Sequence, residues 1–108
     1  MNPGYVGTVS VDLHLPEAHS LKEKRRELKR LEHHVARTFS CAVAEVDHHD
    51  LWQRARLAIA VVGRDASAVG SHIEAISRAL HTDEAFQVLE EARDIAGLEA
   101  EPTFHIGA

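Results

Sequence analysis

The hydrophobic period of this chain switches from two to 3.6 and back, twice over, and few folds accept that order of elements. From Tyr5 to Leu15 (YVGTVSVDLHL) apolar and polar residues alternate. Tyr5, Gly7, Val9, Val11, Leu13 and Leu15 make one face, and Thr8, Ser10, Asp12 and His14 the other, the pattern of a half-buried strand. Pro16 ends it. Ser20 followed by Glu23 then forms a capping box that opens a helix reaching Phe39. Leu21, Leu28, Leu31, Val35 and Phe39 fall on its apolar side at about 100° per residue.

Residues 41 to 47 (CAVAEVD) and 52 to 62 (WQRARLAIAVV) read as two strands joined by the loop His48-His49-Asp50-Leu51. A four-residue hairpin loop sets Asp47 opposite Trp52, Glu45 opposite Arg54 and Val43 opposite Arg56. That register turns Ala42, Ala44, Val46, Ala55, Leu57, Ile59 and Val61 toward the core. It also makes Glu45 and Arg54 a cross-strand pair on the outer face. Gly63 and Asp65 break the chain before a second helix over about 66–81, with Val69, Ile73, Ile76 and Leu80 as its buried stripe. The segment after Asp83 suits a strand beginning Phe86-Gln87-Val88 or a helix through LEEARDIA. Topology selects a strand near 86–93, because it completes a sheet. The order is then βαββαβ, a ferredoxin-like α+β fold with a four-stranded antiparallel sheet and two helices on one face. The expected domain is 1–96, with a C-terminal tail over 97–108.

Charge is distributed unevenly. The chain carries a formal net charge of -5, yet Ser20 to Phe39 holds seven of the twelve Lys and Arg residues against three Glu. Lys22, Arg26, Lys29, Arg30, His33 and Arg37 fall together opposite the apolar stripe, with Glu23 and Glu27 at the border. Arg and Lys on one helix face can neutralise several backbone phosphates with little base specificity. The competing account is a solvated helix supported by its own Glu-to-cation neighbours. Lys24 and Arg25 flank the apolar side, where snorkelling is the expectation. Between Asp83 and Glu101 the balance runs the other way, with seven acids and one Arg.

Two motifs, HSLKEKRRELKRL at His19 to Leu31 and AEVDHHDLWQRARLAIAVV at Ala44 to Val62, together with the opening VGTVSVDLHLP, resemble the YlxP-like family of small bacterial proteins. The resemblance spans about residues 5–95. It implies a ferredoxin-like fold and a domain of unknown function with no established activity. Genes of that family often lie beside those for translation initiation and ribosome-maturation factors, which suggests an RNA or ribosomal-subunit partner. The nine histidines and the tail depart from the family pattern and receive no role from it.

Other constellations point more weakly. Thr8, Ser10, Asp12, His14, Glu45, Trp52, Arg54 and Arg56 are expected on the outer sheet face. Trp52, Arg54 and Arg56 form a candidate partner surface there. RNA-recognition sheets stack bases on two or three aromatics; a lone Trp more simply packs structurally or in a dimer interface. Asp47-His48-His49-Asp50 has metal-binding residue types, but a loop rich in turn-formers explains it without a metal. Cys41 cannot form an internal disulfide and reads as a buried structural thiol. No Gly-rich phosphate loop, cofactor motif or catalytic set emerges, so no enzyme is expected.

With 44% hydrophobic residues and only 5% aromatics, the core must be built from Val, Leu, Ile and Ala. The N-terminus lacks the pattern of a signal peptide, and no apolar run nears the roughly 18 residues that span a bilayer. The expectation is a cytoplasmic protein with no membrane partner. It acts through RNA or a ribosomal subunit or, alternatively, as a homo-oligomeric interaction domain.

Overall fold

A computed structural model describes residues 3–99. Its elements run β1 (Tyr5–His14), α1 (Leu21–Phe39), β2 (Ala42–Asp47), β3 (Arg54–Gly63), α2 (Ala66–Thr82) and β4 (Gln87–Gly97). The strands form one antiparallel sheet in the order β2-β3-β1-β4. Both helices cover one face, so the ferredoxin-like expectation holds.

Local chemistry sets the helix ends. Ser20 Oγ accepts from the Glu23 N–H at 3.1 Å, while the Glu23 carboxylate accepts from the His19 N–H at 2.6 Å. The capping box therefore closes one residue further back than the usual reciprocal pair. At the other end Ser40 adopts a left-handed conformation (φ 51°), and its N–H reaches the Ala36 carbonyl. Asp65 caps α2 by accepting from the Ala68 N–H at 2.8 Å.

Between sheet and helices lie Val9, Val11 and Leu13 of β1, Ala55, Leu57, Ile59 and Val61 of β3, Leu28, Leu31 and Val35 of α1, and Val69, Ile73, Ile76 and Leu80 of α2. Each large side chain sealed there contributes about 1.5–3 kcal/mol of burial. Gly7 makes room for α2: a Cβ at that position would lie 2.4 Å from Ile73 Cδ1 and 2.5 Å from Val69 Cγ1.

The β2–β3 hairpin differs from the sequence expectation. Its register pairs Val43 with Ile59 and Glu45 with Leu57, and a bulge follows before Asp47 meets Arg56. The connection is six residues, His48 to Gln53, and Trp52 lies in it rather than in β3. Ala42, Ala44 and Val46 consequently face outward and are exposed, while Val43 and Glu45 turn toward the helices. The expected pairs Asp47–Trp52, Glu45–Arg54 and Val43–Arg56 do not form. With Cys41 and Val43 packed against the core on that side, Glu45 comes to lie 2.9 Å from the buried Lys24 ammonium, and this pairing of a buried charge favours the inward orientation.

The other difference is at the C-terminal edge. β4 extends to Gly97, four residues past the expected end, and pairs along the whole of β1 from His14↔Gln87 to Tyr5↔Gly97. Phe86 precedes the strand and sits in the core at 4% exposure. The expected tail begins inside β4 at Gly97, and its residues 100–108 lie outside the described residues.

Candidate nucleic-acid interface

The apolar period of α1 orients its opposite side outward. Lys22, Arg26, Lys29, Arg30, His33 and Arg37 are all exposed there, as the helical spacing requires, and Arg25 is exposed beside them. They differ in how free their charge is. Arg30 grips Asp83 at the end of α2 with two 2.9 Å hydrogen bonds and reaches Glu27 at 3.1 Å. The Asp83 hydrogen bond leads in raising the Arg30 pKa, against a smaller opposing effect of burial. Burial pushes the Asp83 carboxyl up, but the bonds from Arg30 and the Ala85 N–H prevail and hold it below the usual range. Arg30 is therefore a clamp between α1 and α2. Lys22, Arg25, Arg26, Lys29 and Arg37 make no ion pair among the described residues. Near the C-terminal half of α1, His33, His34, Arg37 and Thr38 border a shallow depression of about 350 Å³.

Lys24 does not snorkel. It is 1% exposed and projects into the space between α1 and β2. Its Nζ donates to the His48 carbonyl at 2.6 Å and to the His49 carbonyl at 3.5 Å. Glu45 Oε2 lies 2.9 Å from Nζ and supplies the counter-charge to the buried ammonium. This arrangement escaped sequence reasoning, although Lys24 falls in register with Leu28, Leu31 and Val35 at helical spacing. A cation inside an apolar stripe is the available signal that something buried awaits it.

A second anchor acts from the loop's other end. Gln53 Nε2 donates to the Ala18 carbonyl at 3.0 Å and the Pro16 carbonyl at 3.3 Å, and the Leu15 N–H donates to the Gln53 carbonyl at 2.9 Å. Residues 48–53 are thereby fastened to the β1–α1 connection and to the first turn of α1. Leu51 and Trp52 stand out from this loop at 48% and 52% exposure.

On the open sheet face, Asp12 is 6% exposed despite its charge. Arg54 holds it through bonds of 2.6 and 3.4 Å, His48 Nε2 lies at 3.6 Å and Arg56 at 4.0 Å. Burial raises the Asp12 pKa, but the Arg54 bond and the charges of Arg54, His48 and Arg56 outweigh it, leaving the carboxyl below its ordinary value. Arg56 also approaches Glu90 at 3.8 Å. The candidate partner surface thus divides: Arg54 and Arg56 lie on the sheet, joined through Asp12, and Trp52 lies at its rim.

The Asp47-His48-His49-Asp50 segment serves the turn. Asp47 Oδ1 accepts from the His48 N–H at 2.7 Å, His48 takes a left-handed φ of 65°, and the Leu51 N–H closes on the His48 carbonyl at 3.1 Å. Among the described residues no three His, Cys, Asp or Glu side chains are grouped to hold a metal ion. Cys41 is half-buried against the core rather than buried; desolvation raises its thiol pKa, and its Sγ lies 3.5 Å from the Val35 carbonyl. No helix among the described residues is long and apolar enough to cross a membrane.

The fold and the charged helix define a small ferredoxin-like α+β domain with one open sheet face. Residues 6–93 match the model of the family described as "Protein of unknown function (DUF503)", and the chain belongs to that family. It is 37% identical over 57 residues to the "Uncharacterized protein YlxP" of Bacillus subtilis (strain 168). That segment covers 53% of this chain and 62% of the relative. Among solved structures, "Structural Genomics, protein YJCS" superposes with a TM-score of 0.50 at 14% identity, over 82% of this chain and 96% of that one. That likeness concerns the fold.

Proposed function

We propose that this protein is a non-enzymatic, cytoplasmic RNA- or ribosome-associated binding module that contacts phosphate through the outer face of α1. One observation carries the reading. Lys22, Arg26, Lys29 and Arg37 line an exposed helix side and make no ion pair among the described residues, in a chain whose net charge is -5. A merely solvated helix would gain from distributing its acids among those cations. Here Glu23 is engaged by the cap and Glu27 by Arg30, which leaves Glu32 as the one helix acid facing Lys29 and His33.

The test is RNA binding against salt. Four phosphate contacts give a slope of log affinity against log salt of about −3 to −4. An Arg26/Lys29/Arg37→Glu variant, which leaves the Arg30 clamp intact, should lose most of that affinity and flatten the slope. Equal binding by both proteins would refute the proposed surface.

The open sheet face supports a second reading, a homo-oligomeric interaction domain. Thr8, Ser10, Ala42, Ala44, Ala58 and Ala60 line an almost wholly apolar depression of about 300 Å³ there. A second copy would remove that surface from water. Light scattering across protein concentration separates the readings, since a monomer throughout removes the oligomer.

A further inference from the structure

We infer that the RNA taken by this module is single-stranded, with one base stacked on Trp52 while neighbouring phosphates lie on the N-terminal turns of α1. The inference rests on the phosphate-binding reading above and assigns it a ligand class.

Trp52 is placed unlike a packing residue. Its side chain is 52% exposed, and the core is complete without it. Nor is it loosely held. The loop is fastened at His48 and His49 by the Lys24 ammonium, and at Gln53 by the Pro16, Ala18 and Leu15 backbone. A large aromatic half in water on a loop tied at both ends is preorganised for contact, because little conformational freedom remains to be lost on binding. Beside it, Asp50, Leu51, Trp52, Gln53 and Arg54 border a depression of about 390 Å³. Arg54 adds a planar guanidinium held in place by Asp12. Aromatic rings and Arg planes are the two side-chain surfaces on which unpaired bases stack.

The same anchors fix where this platform sits. Lys24 binds the loop from the inward side of the first turn of α1, and Gln53 binds the connection that leads into that turn. Lys22 and Arg25 occupy the start of α1 without ion-pair partners among the described residues, and Arg26 follows them beside a depression that also holds Glu17, Glu23, Glu27 and Glu84. A strand can therefore lay its phosphates on cations and an adjacent base on the indole. In a duplex the bases are paired and stacked away from such a platform, and α1 alone would carry the binding.

Trp52 is the chain's sole tryptophan, so its fluorescence reports the contact directly. Wild type, Trp52→Ala, Trp52→Phe and the Arg26/Lys29/Arg37→Glu variant are titrated with a single-stranded RNA of about 12 nucleotides and with a duplex of matching length. Anisotropy of the labelled RNA measures affinity. The expected result is quenching of Trp52 by the single strand only, and a loss of roughly 5- to 150-fold in single-strand affinity for Trp52→Ala. Trp52→Phe should retain most of the affinity, and duplex binding should not change in either Trp52 variant. Salt-dependent binding with no quenching and no effect of Trp52→Ala would overturn the stacking site and leave the phosphate face standing. No binding of either RNA by wild type would overturn both. Fluorescence that changes with protein concentration in the absence of RNA would instead assign Trp52 to a contact between copies.

Discussion

Lys24 offers the sharpest test of how the hairpin is built. In Lys24→Met the apolar stem is retained, but Glu45 keeps its charge against α1 and the His48 carbonyl loses its 2.6 Å donor. Removing one partner of a buried ion pair costs about 3–5 kcal/mol. Glu45 is still 20% exposed and so partly hydrated, which reduces the loss to about 2–4 kcal/mol. Against a total stability of about 5–15 kcal/mol for a domain, that is a large share. In urea it corresponds to a midpoint shift of about 1–2 M. Lys24→Met/Glu45→Leu removes the stranded charge and leaves mainly the orphaned carbonyl, so the double variant should recover to within about 1–2 kcal/mol of wild type. Equilibrium urea unfolding of the four proteins of this cycle measures the coupling. A Lys24→Met loss below about 0.5 kcal/mol, or a double variant no more stable than the sum of its parts, would refute the claim that this pair favours the inward face of β2.

Gly7→Ala places a methyl against Ile73 and Val69, and thermal or urea melts should show a loss of about 1–3 kcal/mol from overpacking. Asp12 is held below its ordinary pKa, so the stability it adds is complete above the unfolded carboxylate value near 4 and disappears as pH falls through its lower folded value. Urea midpoints measured from about pH 7 to pH 3 should therefore show Asp12→Asn less stable at neutral pH and converging with wild type in acid; a constant gap between the two curves would contradict the ionic role. Arg30→Ala should cost no more than about 1 kcal/mol, since its side chain is half exposed. It should also weaken RNA binding less than Arg26→Ala or Arg37→Ala, because Arg30 is already committed to Asp83.

Legibility varied with the contrast each segment carries. β1 alternates without a break, and both helices combine an apolar stripe with a capping side chain at Ser20 or Asp65, so period and punctuation agreed. β2 has weak contrast, because its two faces are Cys41, Val43 and Glu45 against Ala42, Ala44 and Val46. Pairing Glu45 with an Arg across the hairpin was reasonable locally and wrong globally, because the decisive partner, Lys24, lies 21 positions away on another element. β4 hid for a different reason. It is an edge strand exposed along most of its length, and the register shift between Asp12 and Leu13 leaves Leu89 out of step. The cations of α1 were legible because solvent is their only requirement, whereas the anchoring of Trp52 beside them depends on Gln53 and Lys24 contacts that no periodicity encodes.

The orientation of β2 also shapes the electrostatic field outside the domain. With its present register, Glu45 and Lys24 cancel one another beneath the helix, and neither contributes to the open sheet. Arg54 and Arg56 then meet Asp12 and Glu90 in ion pairs, with Asp50 as a further acid beside Trp52. Had Glu45 faced outward, one more carboxylate would have joined that patch and added to the repulsion of any approaching phosphate. The packing of one edge strand against a single buried ammonium thus limits the negative charge next to the indole.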